Sequence, residues 1–142
     1  MTDSTPSNLS EGSRLRHRPA GSAPSTDVEE DDVSADRTLA STVEIADSTL
    51  SKARGLMFRR SIPDDYALVF PFENVDARTL HMLFVPFPID AVWIVDGIVT
   101  RTKRLRPFVG IGRARADTVI ELPAGAADAV EPGDAIAFPE TR

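Results

Sequence analysis

Residues 79–105 constrain the fold more strongly than any other stretch of the chain. Two apolar runs flank a corner that contains Pro86 and Pro88, and Asp96-Gly97 follows the second run. Asp-Gly between runs rich in Val and Ile is typical of a two-residue type I′ β-hairpin. The sequence therefore predicts that strands at 91–95 and 98–105 form a hairpin within a β-rich core.

The rest of the domain shows short strand patterns separated by turn residues. Further strands are predicted at 38–46, 66–72, 79–85, 118–122 and 135–138. A short helix is predicted at 49–57, capped by Asp47 or Ser48 and ending near Gly55, and a helical turn at 123–130. The pattern favours a mainly β (α+β) fold: a compact antiparallel β-sandwich or open barrel of about seven strands with one or two short helices.

The first 36 residues differ in composition from the rest of the chain. They hold eight acidic and three basic residues and no aromatic residue, so they carry −5 of the net charge of −6. Such a segment buries too little apolar surface to offset the entropy of ordering. We predict a disordered acidic tail at 1–36 and a single β-rich domain at 37–142, and we expect a chain starting at Asp36 to fold like the full length.

Composition excludes several classes of site. With no cysteine there is no disulfide framework and no thiolate zinc site. No apolar run approaches the length of about eighteen residues that suggests a transmembrane helix, and the N-terminus has no signal-like apolar region. We predict a cytoplasmic protein with no cofactor, metal or membrane partner. Soft copper ligation by Met57 and Met82 is the alternative to their filling the core, and core filling is favoured.

Three side chains are candidates for function. Arg54 stands beside Gly55, where a guanidinium clamps an anion or packs over the helix. His81 on a strand is either a general base or metal ligand, or a histidine at the edge of an apolar face. Asp90, at the proline corner, is either catalytic or a structural partner of basic residues.

Hairpin register supports the structural interpretation of Asp90. A two-residue loop at 96–97 places Asp90 opposite Lys103 with Arg101 diagonal to it. An exposed cross-strand pair of this kind contributes roughly 0.2–1 kcal/mol. The sequence therefore predicts that Asp90→Asn costs little stability and abolishes no activity.

A basic cluster follows the hairpin turn. Arg101, Lys103, Arg104 and Arg106 lie within six residues. On a strand they alternate between two faces, and no aromatic platform is interleaved with them. We predict at most weak binding to nucleic acid.

Several short motifs occur in an order that resembles a known family. They are Arg54-Gly55-Leu56-Met57-Phe58-Arg59, Met82, Pro88-Ile89-Asp90, Val95-Asp96-Gly97, Glu121-Leu122-Pro123-Ala124-Gly125 and Gly133-Asp134. Together they resemble domain of unknown function 192, the uncharacterised ACR family, over about residues 40–138. The resemblance implies a small β-rich domain with a helix packed on it, and no activity. Members often have polar residues where this chain has Leu83 and Phe84.

The function favoured by these observations is a non-enzymatic module that binds a small molecule, a peptide or a partner protein. Its predicted groove lies beside the helix end at Arg54 and Gly55 and the corner at 86–90, with His81 and Asp90 as further contacts. The alternative is an enzyme that uses Asp90 and His81 with Arg54 as an electrostatic clamp. A purely structural protein is a third class. Convergence of Arg54, His81 and Asp90 on one pocket would favour the enzyme.

Overall fold

The structure, a computed structural model, describes residues 14–21 and 37–139. It contains β1 (Leu15–Arg18), β2 (Arg37–Ala40), β3 (Thr42–Ile45), α1 (Thr49–Arg54), β4 (Tyr66–His81), β5 (Ile89–Val95), β6 (Ile98–Leu105), β7 (Ile111–Pro123) and β8 (Ala135–Ala137). The strands form one sheet in the order β2-β1-β8-β6-β5-β7-β4-β3. The mainly β class is confirmed, as an open sheet of eight strands.

Helical structure is confined to α1 within the described ranges. Ser48 caps its N-terminus by accepting a hydrogen bond from the Ser51 N–H at 3.0 Å, and Gly55 ends it with a φ of 50°. Both ends were predicted. The predicted helical turn at 123–130 is instead a series of tight turns, such as Ala126 N–H to Pro123 C=O. No described helix has the length and apolarity needed to cross a membrane. The cytoplasmic location stays a prediction.

The predicted hairpin forms the middle of the sheet. Asp96 and Gly97 both have positive φ, 51° and 77°, as a type I′ turn requires. β6 and β7 pair with the two edges of β5. Its alternating side chains are buried on both faces, Trp93 in one apolar cluster and Val92 in another.

The hairpin register differs from the prediction beyond the turn. A β-bulge between Trp93 and Ile94 pairs Trp93 with Arg101 instead of Thr100. The Thr100 hydroxyl donates to the Arg115 carbonyl at 2.8 Å, which fixes the extra residue. Every pair farther from the turn is shifted by one position, so Asp90 lies opposite Arg104.

β4 joins segments that were predicted to be separate. The predicted strand at 66–72, loop at 73–78 and first half of the strand at 79–85 form one 16-residue strand, with an irregularity between Pro71 and Asp76. β3 pairs with β4 only as far as Val69. Pro71 therefore lies where one side of β4 is unpaired, a position at which the missing N–H is tolerated.

The predicted strand at 38–46 is split at Ser41, and its halves lie at opposite edges of the sheet. Asp65 holds the split. Its carboxylate accepts from the hydroxyls of Ser41 and Thr42 at 2.7 and 2.8 Å, and its carbonyl accepts from both N–H groups at 3.0 Å. Because one residue joins the two edge strands, the sheet must curl until its edges approach each other.

Two apolar clusters occupy the two faces of the curled sheet. One draws side chains from all eight strands, including Leu15, Val92 and Ile136. The other contains Trp93 and Phe70 and lies under α1 and the loops. The candidate cavity lies on this second face.

The predicted boundary of the domain is wrong at Leu15–Arg18. These residues form β1, which pairs with β2 and β8. Leu15 is 0% exposed, and the buried His17 ring lies 2.7 Å from the Asp134 carboxylate. Burial alone would raise the pKa of Asp134, but hydrogen bonds from the Ala20 N–H, His17 and the Glu131 N–H hold it below its usual value. The rest of the predicted tail, 1–13 and 22–36, lies outside the described residues.

Leu15→Ala tests whether β1 belongs to the folded domain. Removing this fully buried side chain should lower the free energy of unfolding by about 2–5 kcal/mol. Arg16→Ala, on the exposed face of the same strand, should change it by no more than about 0.5 kcal/mol. Urea denaturation of both variants provides the measurement. If both variants have equal and negligible effects on the free energy of unfolding, residues 15–18 are dispensable for folding.

Candidate functional site

A cavity of about 400 Å³ lies between the end of α1, β4 and β7. Its walls are apolar and its rim is basic. The residues that line it include Arg54, Gly55, Phe70, Arg78, His81 and Glu121. This volume falls within the range of small-molecule sites in proteins.

Gly55 shapes the cavity at the point where α1 ends. A Cβ at this position would stand 3.4 Å from the Phe70 ring and 3.8 Å from Oε2 of Glu121. The positive φ also favours glycine over other residues. Gly55 therefore lets the backbone pass close to the cavity floor without filling it.

Glu121 forms the polar part of that floor. It is a buried residue in the central strand β7, paired with Leu68 on one side and Ala91 on the other. Its Oε2 atom has no hydrogen-bond partner among the described residues. Burial raises the pKa of Glu121 to about 8, an effect that the charge of Arg59 partly offsets. A pKa in this range keeps the carboxyl mainly protonated at neutral pH, so that it can donate a hydrogen bond.

The Arg59 side chain belongs to a neighbouring hydrogen-bonded cluster with Glu44 and Tyr66. It donates to the Glu44 carboxylate at 3.1 Å and to the Tyr66 hydroxyl at 2.9 Å, and the Tyr66 hydroxyl donates to Glu44. These hydrogen bonds, that from Tyr66 foremost, hold the pKa of Glu44 below its usual value. Arg59 thus influences Glu121 through its charge while its hydrogen bonds go elsewhere.

Arg54 stands at the mouth of the cavity. It also lines a second cavity, of about 240 Å³, which contains the Glu44 and Arg59 cluster. Its side chain is exposed and forms no hydrogen bond or ion pair with residues 14–21 or 37–139. Two other cations on the rim lie against the ring of Phe72, Arg78 at 3.9 Å and Lys52 at 4.8 Å from its centroid. Arg54 is the rim cation left available to an anion.

His81, the last residue of β4, lies on the same rim. Its side chain is exposed, and Nδ1 accepts a hydrogen bond from the Leu83 N–H at 3.3 Å. The structure therefore brings three of the four predicted site residues, Arg54, Gly55 and His81, to one cavity.

Asp90 is not among the residues that line it. Its carboxylate accepts hydrogen bonds from the N–H groups of Gly125 and Ala127 at 2.9 and 3.0 Å, and from Nε of Arg104 at 2.9 Å. Asp90 is 4% exposed. Asp128 also binds Arg104, and together these bonds raise the pKa of the guanidinium, with Asp90 the larger cause. The predicted partner Lys103 is wrong because the β-bulge shifts the register, and Asp90 ties β5 to the turns after β7.

The basic cluster is divided between the two faces of β6. Arg101 donates to the Arg113 carbonyl and Lys103 to the Ile111 carbonyl, each at 2.7 Å, on the Trp93 side of the sheet. Arg104 turns to the opposite face and binds Asp90. The predicted division is confirmed. Weak binding to nucleic acid stays a prediction.

Sequence analysis missed Glu121 as a site residue. The available signal was an acidic residue between Ile120 and Leu122 in an apolar strand, which alternation alone reads as a solvent-facing position. It is buried beneath the end of α1, where a Cβ on Gly55 would stand 3.8 Å from its Oε2. No group of three or more His, Cys, Asp or Glu side chains suited to a metal ion occurs among the residues whose placement is described.

The chain is similar to proteins of several organisms. The family model described as uncharacterised ACR matches residues 31–138. A UPF0127 protein of Pyrococcus horikoshii is 36% identical over 100 residues, covering 66% of this chain and 84% of that protein. One from Thermococcus gammatolerans is 31% identical over 104 residues, covering 70% and 68%.

Two solved structures share the fold. A putative transcription regulator of Sinorhizobium meliloti is 24% identical, with a TM-score of 0.69 over 88% of this chain and 92% of that one. A protein of unknown function from Novosphingobium aromaticivorans is 20% identical, with a TM-score of 0.69 over 88% and 84%. At these identities the likeness is one of architecture.

The structure changes the expected effect of Asp90→Asn. An amide cannot accept from the two N–H groups and Arg104 together, so the variant should lose about 2–3 kcal/mol of unfolding free energy. Arg104→Gln should cost less than Asp90→Asn, because the Arg104 side chain is 52% exposed. Chemical denaturation of both variants distinguishes these values. A loss for Asp90→Asn as small as that for Arg104→Gln would contradict the buried anchor.

Glu121 should make stability depend on pH in a defined window. Its pKa is about 8 in the folded state against 4.5 ordinarily, so the folded protein holds the extra proton between these values. The free energy of unfolding should therefore fall as pH rises from about 5 to about 8, by roughly 1 kcal/mol per pH unit.

Glu121→Gln should remove this pH dependence. The measurement is urea denaturation of the variant and the wild type at several pH values, and the comparison is the difference between their free energies of unfolding. Glu44→Gln is the matched control, because its carboxyl titrates below the window. A slope that persists in Glu121→Gln would assign the effect to another group.

Proposed function

Because the chain belongs to the uncharacterised ACR family, whose name carries no activity, we propose a function from the site: the domain is a non-enzymatic module that binds a small anionic molecule at the end of α1. The observation that carries this proposal is Oε2 of Glu121, a buried atom with no partner among the described residues, at the floor of a 400 Å³ cavity. A buried polar group of this kind costs stability unless something satisfies it. A bound ligand supplies the missing partner.

The charges around the cavity select the ligand's chemistry. Protonated Glu121 donates one hydrogen bond and so fits an acceptor such as a carboxylate, carbonyl or phosphoryl oxygen. Arg54 at the mouth attracts a negative charge, and a guanidinium suits carboxylate and phosphate geometry. A cationic ligand would stabilise the ionised form of Glu121. It would, however, be repelled at the cavity mouth by the positive charges of Arg54, Lys52 and Arg78.

The apolar walls of the cavity favour a ligand whose middle part, between the groups that contact Arg54 and Glu121, is apolar. Phe70, Val85 and Val119 are buried side chains that face the cavity, and Phe72 and Leu80 complete the wall. A small aromatic or aliphatic acid therefore fits better than a free inorganic anion, because burying its apolar surface adds roughly 25 cal/mol per Å².

The enzyme alternative receives less support from the same geometry. It needs Asp90 and His81 to act on one substrate held by Arg54. The Asp90 carboxylate is occupied by Gly125, Ala127 and Arg104 and lines a separate cavity with Arg104 and Asp128. Of the two groups that the alternative requires, His81 alone lines the cavity, and its Nδ1 is bonded to the Leu83 N–H. This arrangement favours binding over turnover.

Calorimetry with benzoate, phenylacetate and phenyl phosphate tests the proposal, with benzamidine and benzyl alcohol as cationic and neutral comparisons. The anions should bind, and Arg54→Gln should weaken them about ten-fold or more, because a hydrogen bond to a charged group contributes about 1.5–3 kcal/mol. Arg115→Gln, an exposed change that does not line the cavity, should leave affinity unchanged.

Val119→Phe provides a second test because it fills the cavity and should abolish binding. Native mass spectrometry of the untagged protein should show a co-purifying small acid. Preference for benzamidine, or no effect of Arg54→Gln, would overturn the proposed ligand chemistry. Chemical conversion of a compound during incubation would favour the enzyme.

A further inference from the structure

Three loops meet at the end of the sheet beyond His81, and no part of the described structure packs over them. They comprise 55–61, the first part of the loop between α1 and β4; 82–88, between β4 and β5; and 106–110, between β6 and β7, together with the first residues of β7, 111–113. The Phe58 N–H donates to the Phe84 carbonyl at 2.9 Å, and the Phe108 N–H donates to the Val85 carbonyl at 3.0 Å. Backbone hydrogen bonds thus join the three segments into one surface, here called the loop end.

Large apolar side chains are concentrated at the loop end. Of the nine exposed large hydrophobic side chains in the described ranges, six lie on it: Phe58, Leu83, Phe84, Phe108, Val109 and Ile111. Phe58 is 63% exposed and Val109 76%, and the rings of Phe58 and Phe84 stack with centroids 4.9 Å apart. Exposed apolar side chains gathered in this way mark an interaction surface rather than ordinary surface composition.

The backbone of the loop end disfavours the aromatic residues that it carries. Phe58, Phe84 and Phe108 have φ values of 69°, 59° and 64°. Glycine or asparagine adopts this left-handed region at lower cost than a bulky side chain. Rings that are both strained at the backbone and exposed contribute little to the stability of the domain itself, which indicates a role outside it.

The charge at the loop end has one sign. These three segments contain no acidic residue, because the acids of the α1–β4 loop lie at 64–65, directly before β4 and at the end of that strand away from His81. Arg60, Arg106 and Arg113 lie two positions from Phe58, Phe108 and Ile111 respectively. The guanidinium groups of these three arginines form no hydrogen bond or ion pair with the described part of the chain. The surface that the loop end meets must therefore be apolar in its interior and negative at its boundary.

We propose that the loop end binds the surface of a bilayer containing anionic lipids. The apolar side chains enter the boundary between headgroups and acyl chains, and the arginines meet the lipid phosphates. A second copy of the chain would bring arginines against arginines. A peptide partner would require a groove, whereas these side chains stand out on loops and do not line the cavities described above. Sequence analysis predicted no membrane partner because it sought a spanning run, which a surface assembled from three loops does not need.

Vesicle co-sedimentation tests this binding with the full chain. Phosphatidylcholine vesicles containing phosphatidylglycerol should bind the protein, pure phosphatidylcholine vesicles should bind it weakly, and added salt should release it. Combined Phe58→Asn, Phe84→Asn and Phe108→Asn should abolish binding, since asparagine retains the left-handed backbone. Combined Val75→Asn and Ile98→Asn, which remove exposed apolar side chains elsewhere, should not affect binding.

An independent variant tests the charges without altering the strained positions. Combined Arg60→Gln, Arg106→Gln and Arg113→Gln should weaken vesicle binding roughly five-fold per arginine, which corresponds to about 1 kcal/mol per basic residue. Equal binding to both vesicle types, or no vesicle binding, would overturn the proposal. Concentration-dependent dimerisation that the asparagine variant abolishes would assign the loop end to self-association, and retention of an acidic peptide alone would assign it to a protein partner.

Discussion

The one-residue link at Ser41 is the constraint on which the rest of the architecture depends. It joins the strands at the two edges of the sheet, β2 and β3, so the sheet can form only as a strongly curled surface. Asp65 fixes the link through four hydrogen bonds to Ser41 and Thr42. Its pKa is held below the usual value by the two hydroxyls, that of Ser41 first. Curling gathers side chains from every strand into one interior cluster and leaves the opposite face to be covered by other means.

That opposite face explains why the cavity and the loop end occur where they do. The interior cluster is completed by the strands themselves. The other face depends on a six-residue helix and on loops, which cannot cover it fully. Gly55 leaves space above Glu121, and the sharp turns at Phe58 and Phe84 direct their rings outward. Because a short helix covers this face in place of a full layer of structure, the cavity above Glu121 and the exposed apolar side chains of the loop end can both exist.

The sequence predicted those features that local chemistry determines. Asp96-Gly97 set the hairpin, and Ser48 and Gly55 set the ends of α1. It did not predict features that depend on distant contacts. β1 is held by a pair, His17 and Asp134, separated by 117 positions. The bulge at Trp93 was hidden because neither Gly nor Pro marks it, and the side chain of Thr100 stabilises it only once β7 is in place. Glu121 was missed because burial by α1, not its own strand, makes it unusual.

The pairing of β1 with β8 has a consequence for how the protein is made. Arg16 and His17 pair with Ala137 and Ile136, about 120 positions later in the chain. A nascent chain therefore leaves Leu15 and the unpaired edge of β1 exposed until β8 has been synthesised. Folding that waits for such sequence-distant pairing is slow, and unpaired strand edges promote aggregation meanwhile. Pairing of β1 with β8 can therefore occur only after most of the domain has been synthesised. A chain that ended before residue 134 would lack the Asp134 carboxylate that contacts His17.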